Sequence, residues 1–147
     1  MKLSTKGEYA TRAVLYLSQR YGGEVIQIHE IARHEKIPVK YLEQILLALK
    51  NAGVLRSKKG VKGGYYLARS PEEITMGEVV RVMDGALAPI KCVSTNFYER
   101  CPEELSCGIR NVWLEVRNAV ANILDNTTFA DLCKDIDQQQ KILTYQI

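Results

Sequence analysis

Four cysteines are the residues of this 147-residue chain best suited to chemistry: Cys92, Cys101, Cys107 and Cys133. The first three fall within sixteen residues, with eight residues between Cys92 and Cys101 and five between Cys101 and Cys107. Thiolate is the preferred ligand of iron–sulfur clusters. Three thiolates with one further donor also suit Zn²⁺. A thiol can instead act alone, as a switch whose oxidation alters affinity for a partner. No Cys-x-x-Cys pair is present, which weakens the zinc-knuckle reading. Three unrelated cysteines are the bland alternative, and their gathering on one irregular stretch weighs against it. Cys133 lies far along the chain on a short amphipathic pattern and reads as a small core residue. The opening Met1-Lys2-Leu3-Ser4-Thr5-Lys6 lacks the apolar stretch of a signal peptide. No apolar run approaches membrane-spanning length. The expectation is a cytoplasmic protein, away from membranes, whose thiols stay reduced.

Charge supplies a second chemistry. The chain carries 20 basic and 17 acidic residues, net +3, but between Val54 and Ser70 there are five basic residues (Arg56, Lys58, Lys59, Lys62, Arg69) and no acidic one. Such a stretch is either a solvated lysine-rich loop or a surface for a polyanion. Enzyme signatures are missing: there is no paired acid/base motif, P-loop or nucleotide fingerprint.

The elements that would carry these groups follow from periodicity. Tyr9, Ala13, Tyr16 and Leu17 mark a helix over residues 5–21, ended by Gly22-Gly23. A second helix spans 28–35. Lys36-Ile37-Pro38 is a tight connection, because the residue before proline avoids helical geometry, and Pro38 then opens a third helix, 39–52. Leu42, Ile45, Leu46 and Leu49 form that helix's core stripe, and Gly53 ends it. Its other side presents Lys40, Tyr41, Glu43, Gln44 and Lys50, side chains able to reach bases and phosphates. Two β-prone runs, 54–57 and 65–67, flank the glycine- and lysine-rich 58–64 and predict a hairpin. Two helices joined by a turn and followed by a basic hairpin form a winged helix-turn-helix. Its glycines allow close approach to phosphates while its lysines neutralise them.

Downstream, Thr75 and Glu78 suit a capping box for a helix to Asp84, and residues 85–106 read as a long irregular segment. A long amphipathic helix over 107–125 carries the stripe Val112, Trp113, Val116, Val120, Ile123 and Leu124, wider than its own domain can cover. That excess, and the need for two recognition helices on two half-sites, predicts a homodimer on a palindromic operator. Thr128 and Asp131 cap a last short helix, 129–136, followed by a frayed polar tail. The fold class is therefore mainly α with a small β-hairpin wing. The division is a winged helix-turn-helix domain at 1–84, a cysteine-bearing sensor loop at 85–106, and a dimerisation helix with a short C-terminal helix at 107–147.

Several runs carry a family resemblance: Leu3-Ser4-Thr5-Lys6-Gly7-Glu8-Tyr9-Ala10, Tyr41-Leu42-Glu43-Gln44-Ile45, Leu49-Lys50-Asn51-Ala52-Gly53-Val54, Lys59-Gly60-Val61-Lys62-Gly63-Gly64-Tyr65 and Ile74-Thr75-Met76-Gly77-Glu78-Val79. Over nearly its whole length the chain resembles the IscR-like iron–sulfur winged-helix transcription regulators, the family that also includes NsrR-type nitric-oxide sensors and CymR-type regulators.

The resemblance implies a homodimeric regulator, a repressor in kind, of iron–sulfur cluster biogenesis or related stress genes, with iron–sulfur assembly proteins as further partners. It implies a cluster on Cys92, Cys101 and Cys107, 2Fe-2S before 4Fe-4S, with zinc or no cofactor as alternatives. The histidine that follows the third cysteine by three positions in the IscR branch is here Arg110, which cannot ligate iron. The fourth ligand must then come from elsewhere. Glu8 and Glu43 are the first candidates, with Glu99, Glu103 and Glu104 nearby in sequence; the two histidines, His29 and His34, lie in the helix-turn-helix. The implied DNA contacts are Lys6, Pro38, Lys40, Tyr41, Glu43, Gln44, Lys58, Lys59, Gly60 and Lys62, with Glu43 tuning promoter choice. The alternatives to cluster control are an NsrR-like nitric-oxide sensor and a CymR-like regulator that senses through thiols or a partner protein.

Overall fold

The computed structural model describes residues 2–146. Six helices and one hairpin follow in the order α1 (Thr5–Ser18), α2 (Ile28–Glu35), α3 (Val39–Asn51), β1 (Leu55–Lys58), β2 (Gly64–Leu67), α4 (Met76–Asp84), α5 (Arg110–Asp125) and α6 (Phe129–Tyr145). The mainly α winged-helix class expected from the sequence is the one observed.

The core forms where the apolar stripes of α1, α2 and α3 converge. Ala10, Ala13, Val14, Ile31, Leu42, Leu46 and Leu49 are buried there, and Leu55, Leu67, Ile74 and Val79 seal it from the hairpin and α4. Lys36 ends α2 in the left-handed region (φ 56), which turns the chain sharply enough for α3 to cross α2. Strands β1 and β2 pair antiparallel with Leu55 opposite Leu67 and Lys58 opposite Gly64. A single bridge, Ile26 with Tyr65, ties the hairpin to the chain before α2. A side chain at position 64 would run into the Ile26 carbonyl, so glycine permits this close pairing.

The C-terminal part departs from the domain and returns. Helix α5 has no buried residue, but the turn after it is sewn back on. Met76 N donates to Thr127 O at 2.9 Å and Phe129 N to Ile74 O at 3.0 Å. Phe129 is fully buried in the main core, worth roughly 2–3 kcal/mol of apolar transfer for a phenyl ring. Arg81 of α4 grips Asp125 at the end of α5 with two hydrogen bonds of 2.5 and 2.8 Å. Gly77 faces that carboxylate, and a β-carbon there would overlap it.

Three expected boundaries shift by more than one residue. Helix α1 stops at Ser18, and Gln19–Tyr21 continue as tighter turns in which Arg20 N bonds Leu17 O and Tyr21 N bonds Ser18 O. Helix α5 begins at Arg110 rather than at residue 107, since Gly108 is a poor helix former and Ile109 offers no side-chain cap. The largest correction concerns α6, which runs to Tyr145 instead of fraying after Ile136. Its start is fixed by the reciprocal Thr128–Asp131 capping box, and the Gln, Lys and Leu residues beyond have good helix propensity. At Thr75 only half of the expected box forms: Thr75 Oγ1 accepts from Glu78 N at 3.2 Å, while the Glu78 carboxylate pairs with Arg69.

Candidate nucleic-acid interface and cysteine segment

Helix α3 sorts its residues by face. Leu42, Ile45, Leu46 and Leu49 are buried, while Lys40, Glu43, Gln44 and Leu47, at i, i+3, i+4 and i+7, are exposed together on the opposite side. Tyr41 is only half exposed and packs edge-on against Tyr9, ring centroids 5.7 Å apart. Its ring therefore helps fix α3 against α1. Pro38 is exposed as the N-cap residue of α3, and its extended backbone (ψ 131) sets the entry angle.

Lys58, Lys59, Gly60, Val61 and Lys62 are all exposed at the hairpin tip. Gly60 takes φ 109, a left-handed conformation that glycine adopts without strain. Gly63 N closes the turn on Gly60 O at 2.9 Å. Gln27, the residue preceding α2, braces the tip by donating to Val61 O at 3.2 Å. Sequence reasoning missed Gln27, because a contact over 34 residues leaves no local signal. Lys6 is exposed in the first turn of α1. With net positive wing and helix face, this surface can neutralise phosphates and offer hydrogen-bonding groups to base edges.

The cysteine segment has a different character. Cys92, Cys101 and Cys107 are partly exposed and unbridged. Cys92 sits in a short 3-10 turn, Lys91–Val93, beside the start of α5. Arg110 binds this region together: Nη2 donates to Cys92 O at 3.2 Å and lies 3.0 Å from Glu104 Oε1. Arg110 Nε is buried with no hydrogen-bond partner. Tyr98 Oη donates to Glu104 Oε2 at 2.6 Å, and this bond raises the Tyr98 pKa. Lys91 Nζ bonds both carboxylate oxygens of Glu99 at 2.7 and 2.8 Å.

Among the described residues no three His, Cys, Asp or Glu side chains converge as a metal site. The thiols are the right donor type for an iron–sulfur cluster, but this arrangement does not bring the three together. Two of the carboxylates considered as extra ligands are engaged elsewhere, Glu99 by Lys91 and Glu104 by Arg110 and Tyr98. Glu8 is exposed on α1 beside Arg12, at 3.9 Å, and Glu43 is exposed on α3. His29 is exposed, and His34 stacks on Tyr16 with centroids 4.6 Å apart. Cys133 is half-buried on α6, and that burial raises its pKa, in keeping with a packing role.

Ile109, just before α5, and Val112, Trp113 and Ile123 on it stay exposed, with Val116 and Val120 half covered between them. Ile142, Leu143 and Tyr145 of α6 are exposed as well. No helix among the described residues is long and apolar enough to cross a membrane.

The family model Rrf2, iron-dependent transcriptional regulator, matches residues 3–135. The HTH-type transcriptional regulator CymR of Bacillus subtilis is 33% identical over 147 residues, covering 100% of both chains. The solved structure of CymR, the global cysteine regulator of B. subtilis, superposes with a TM-score of 0.76 at 33% identity, covering 91% of this chain and 97% of that one. The T. potens IscR structure superposes with a TM-score of 0.76 at 32% identity, covering 95% of this chain and 91% of that one.

Proposed function

The chain belongs to the Rrf2 family of transcriptional regulators, and on that premise we propose that it is a homodimer that reads a palindromic duplex operator and takes its signal at the cysteine segment. The observation that carries the DNA-binding half is the joint exposure of Lys40, Glu43 and Gln44 on α3 and of Lys58, Lys59 and Lys62 on the wing. Gln44 and Glu43 are placed to read bases, and Lys6, Lys40, Pro38, Tyr41, Gly60 and the wing lysines to position the backbone. Dimerisation is supported by the bare apolar side of α5. A second copy laid along it would bury Val112, Trp113, Val116, Val120 and Ile123 and set two recognition helices on two half-sites. The tripartite division proposed for the chain follows: residues 1–84 bind DNA, 85–106 receive the signal, and 107–147 join the protomers.

Two readings of the signal stand on different observations. The gathering of three thiols on one short segment supports a cluster that would control DNA affinity and specificity in the manner inferred from IscR-like relatives. The failure of those thiols to converge, and the engagement of Glu99 and Glu104, support control by thiol chemistry or by a partner protein.

The test begins with selection of binding sites from random duplexes and sedimentation of the free and DNA-bound protein. Enrichment of a two-fold symmetric site bound by two protomers is the expected result. Absence of duplex binding at low salt would overturn the proposal. Anaerobic reconstitution with iron and sulfide, in wild type and Cys92→Ala, then separates the two signal readings by acid-labile sulfide content.

A further inference from the structure

A cavity of about 190 Å³ lies where α4, residues 86–96 and α5 meet. Its polar wall is made by Arg81, Ser94, Thr95, Asn96, Arg117 and Asp125, and Leu87 with three alanines closes the rest. The charges around it do not cancel. Arg81 and Asp125 satisfy each other through their paired hydrogen bonds. Arg117 takes part in none of the ion pairs among the described residues, and its Nε is buried with no hydrogen-bond partner. A buried donor left unpaired is unfavourable and asks for an acceptor that the chain itself does not supply. The guanidinium fork matches the two oxygens of a carboxylate or oxyanion. Ser94 is 7% exposed, and its Oγ accepts from Phe97 N at 3.0 Å, which leaves the hydroxyl proton free to donate.

We propose that this cavity binds a small oxygen anion of the carboxylate, sulfate or phosphate class, anchored by Arg117. The volume lies below the several hundred Å³ typical of sites for larger organic ligands, roughly 300–1,000 Å³, so the ligand has few heavy atoms. Arg117, Ala121 and Asp125 lie four residues apart on one face of α5, whereas Val112, Val116, Val120 and Ile123 project from another. The anion site is thus distinct from the apolar seam. A bound anion would join residues 94–96, two residues beyond Cys92, to the middle of α5. The site is built from residues other than the cysteines, whatever their role.

The test titrates the full chain at constant ionic strength with acetate, sulfate and phosphate in turn. Two readouts are followed: the fluorescence of Trp113, the single tryptophan and one turn before Arg117, and the thermal midpoint. At least one probe is expected to give a saturable response with a raised midpoint. Arg117→Gln is expected to weaken that response at least about tenfold, the loss of one charge-assisted contact, while Lys141→Gln on the exposed side of α6 leaves it unchanged. Ala121→Glu offers the cavity an internal carboxylate one turn from Arg117 and is expected to abolish binding without loss of fold. No saturable response beyond that to chloride would overturn the proposal. So would an undiminished response in Arg117→Gln or, where that variant does not fold, in Ala121→Glu.

Discussion

Replacing Lys58, Lys59 and Lys62 together by alanine is the perturbation that most directly probes the wing. All three side chains are exposed at the tip and outside the core, so circular dichroism and thermal midpoint should stay at wild-type values. Their effect belongs to association. Each phosphate neutralised contributes about 0.9 to the negative slope of log K against log salt. Three lysines in each of two protomers give at most six such contacts, so the slope should flatten by up to about five. Between 50 and 200 mM salt that amounts to about a thousandfold less loss of affinity at the upper bound, and a single Lys59→Ala should account for about tenfold. Fluorescence anisotropy of a labelled duplex across a salt series measures it. Gln44→Ala is the internal control: it should change which duplexes are preferred and leave the slope in place. A triple variant with the wild-type slope would refute the assignment of the wing to the phosphate backbone.

Three further outcomes follow from the packing and the charges. Phe129→Ala should lower stability by about 3–5 kcal/mol, because a fully buried ring leaves a cavity; denaturant unfolding gives the value, and a change below 1 kcal/mol would show that α6 does not depend on this anchor. Gly77→Ala should destabilise despite alanine's helix propensity, since its β-carbon displaces Asp125 from Arg81. The same substitution in an Asp125→Ala background should be neutral or stabilising by up to about 1 kcal/mol, and additive effects in the double-mutant cycle would contradict the clash. The hydrogen bonds from Arg81 hold the Asp125 pKa below its ordinary value, and the backbone N–H of Thr128 does the same for Asp131. A folded pKa below the unfolded one, about 3.9 for aspartate, gives stability that is complete above that value and is lost as pH falls through the folded pKa. Thermal midpoints from pH 6 to 3 should therefore drop below about pH 4. Asp125→Asn should start lower and fall less steeply, and identical acid limbs for the two proteins would count against this reading.

The elements legible in the sequence were those specified locally. The leucine spacing of α3, the proline at its head and the lysine–glycine run of the wing each act within a few residues, and each element sits within one residue of where they place it. The reach of α6 was misjudged because composition after Asp137 is polar, whereas helix propensity and a capped start outweigh polarity in an exposed helix. At the candidate sites, spacing put three thiols on one segment but could not say whether they meet. The partners that hold that segment, Lys91 with Glu99 and Arg110 with Glu104 and the Cys92 carbonyl, depend on the path of the backbone. Arg117 gave no sign in the sequence: one basic residue on an amphipathic helix reads as solvated until the fold encloses its Nε.

The stretch from Gly85 to Ile109 sends only Leu87, Val93 and Ser94 inward among the described residues, and none of the three joins the main hydrophobic cluster. Residues there can be exchanged without re-solving how the winged helix packs. The chain thus separates two inventories, one that must stay compatible with a shared interior and one that answers to few packing constraints. About two dozen positions can in this way vary, while the shared interior keeps the exposed face of α3 and the hairpin tip in place.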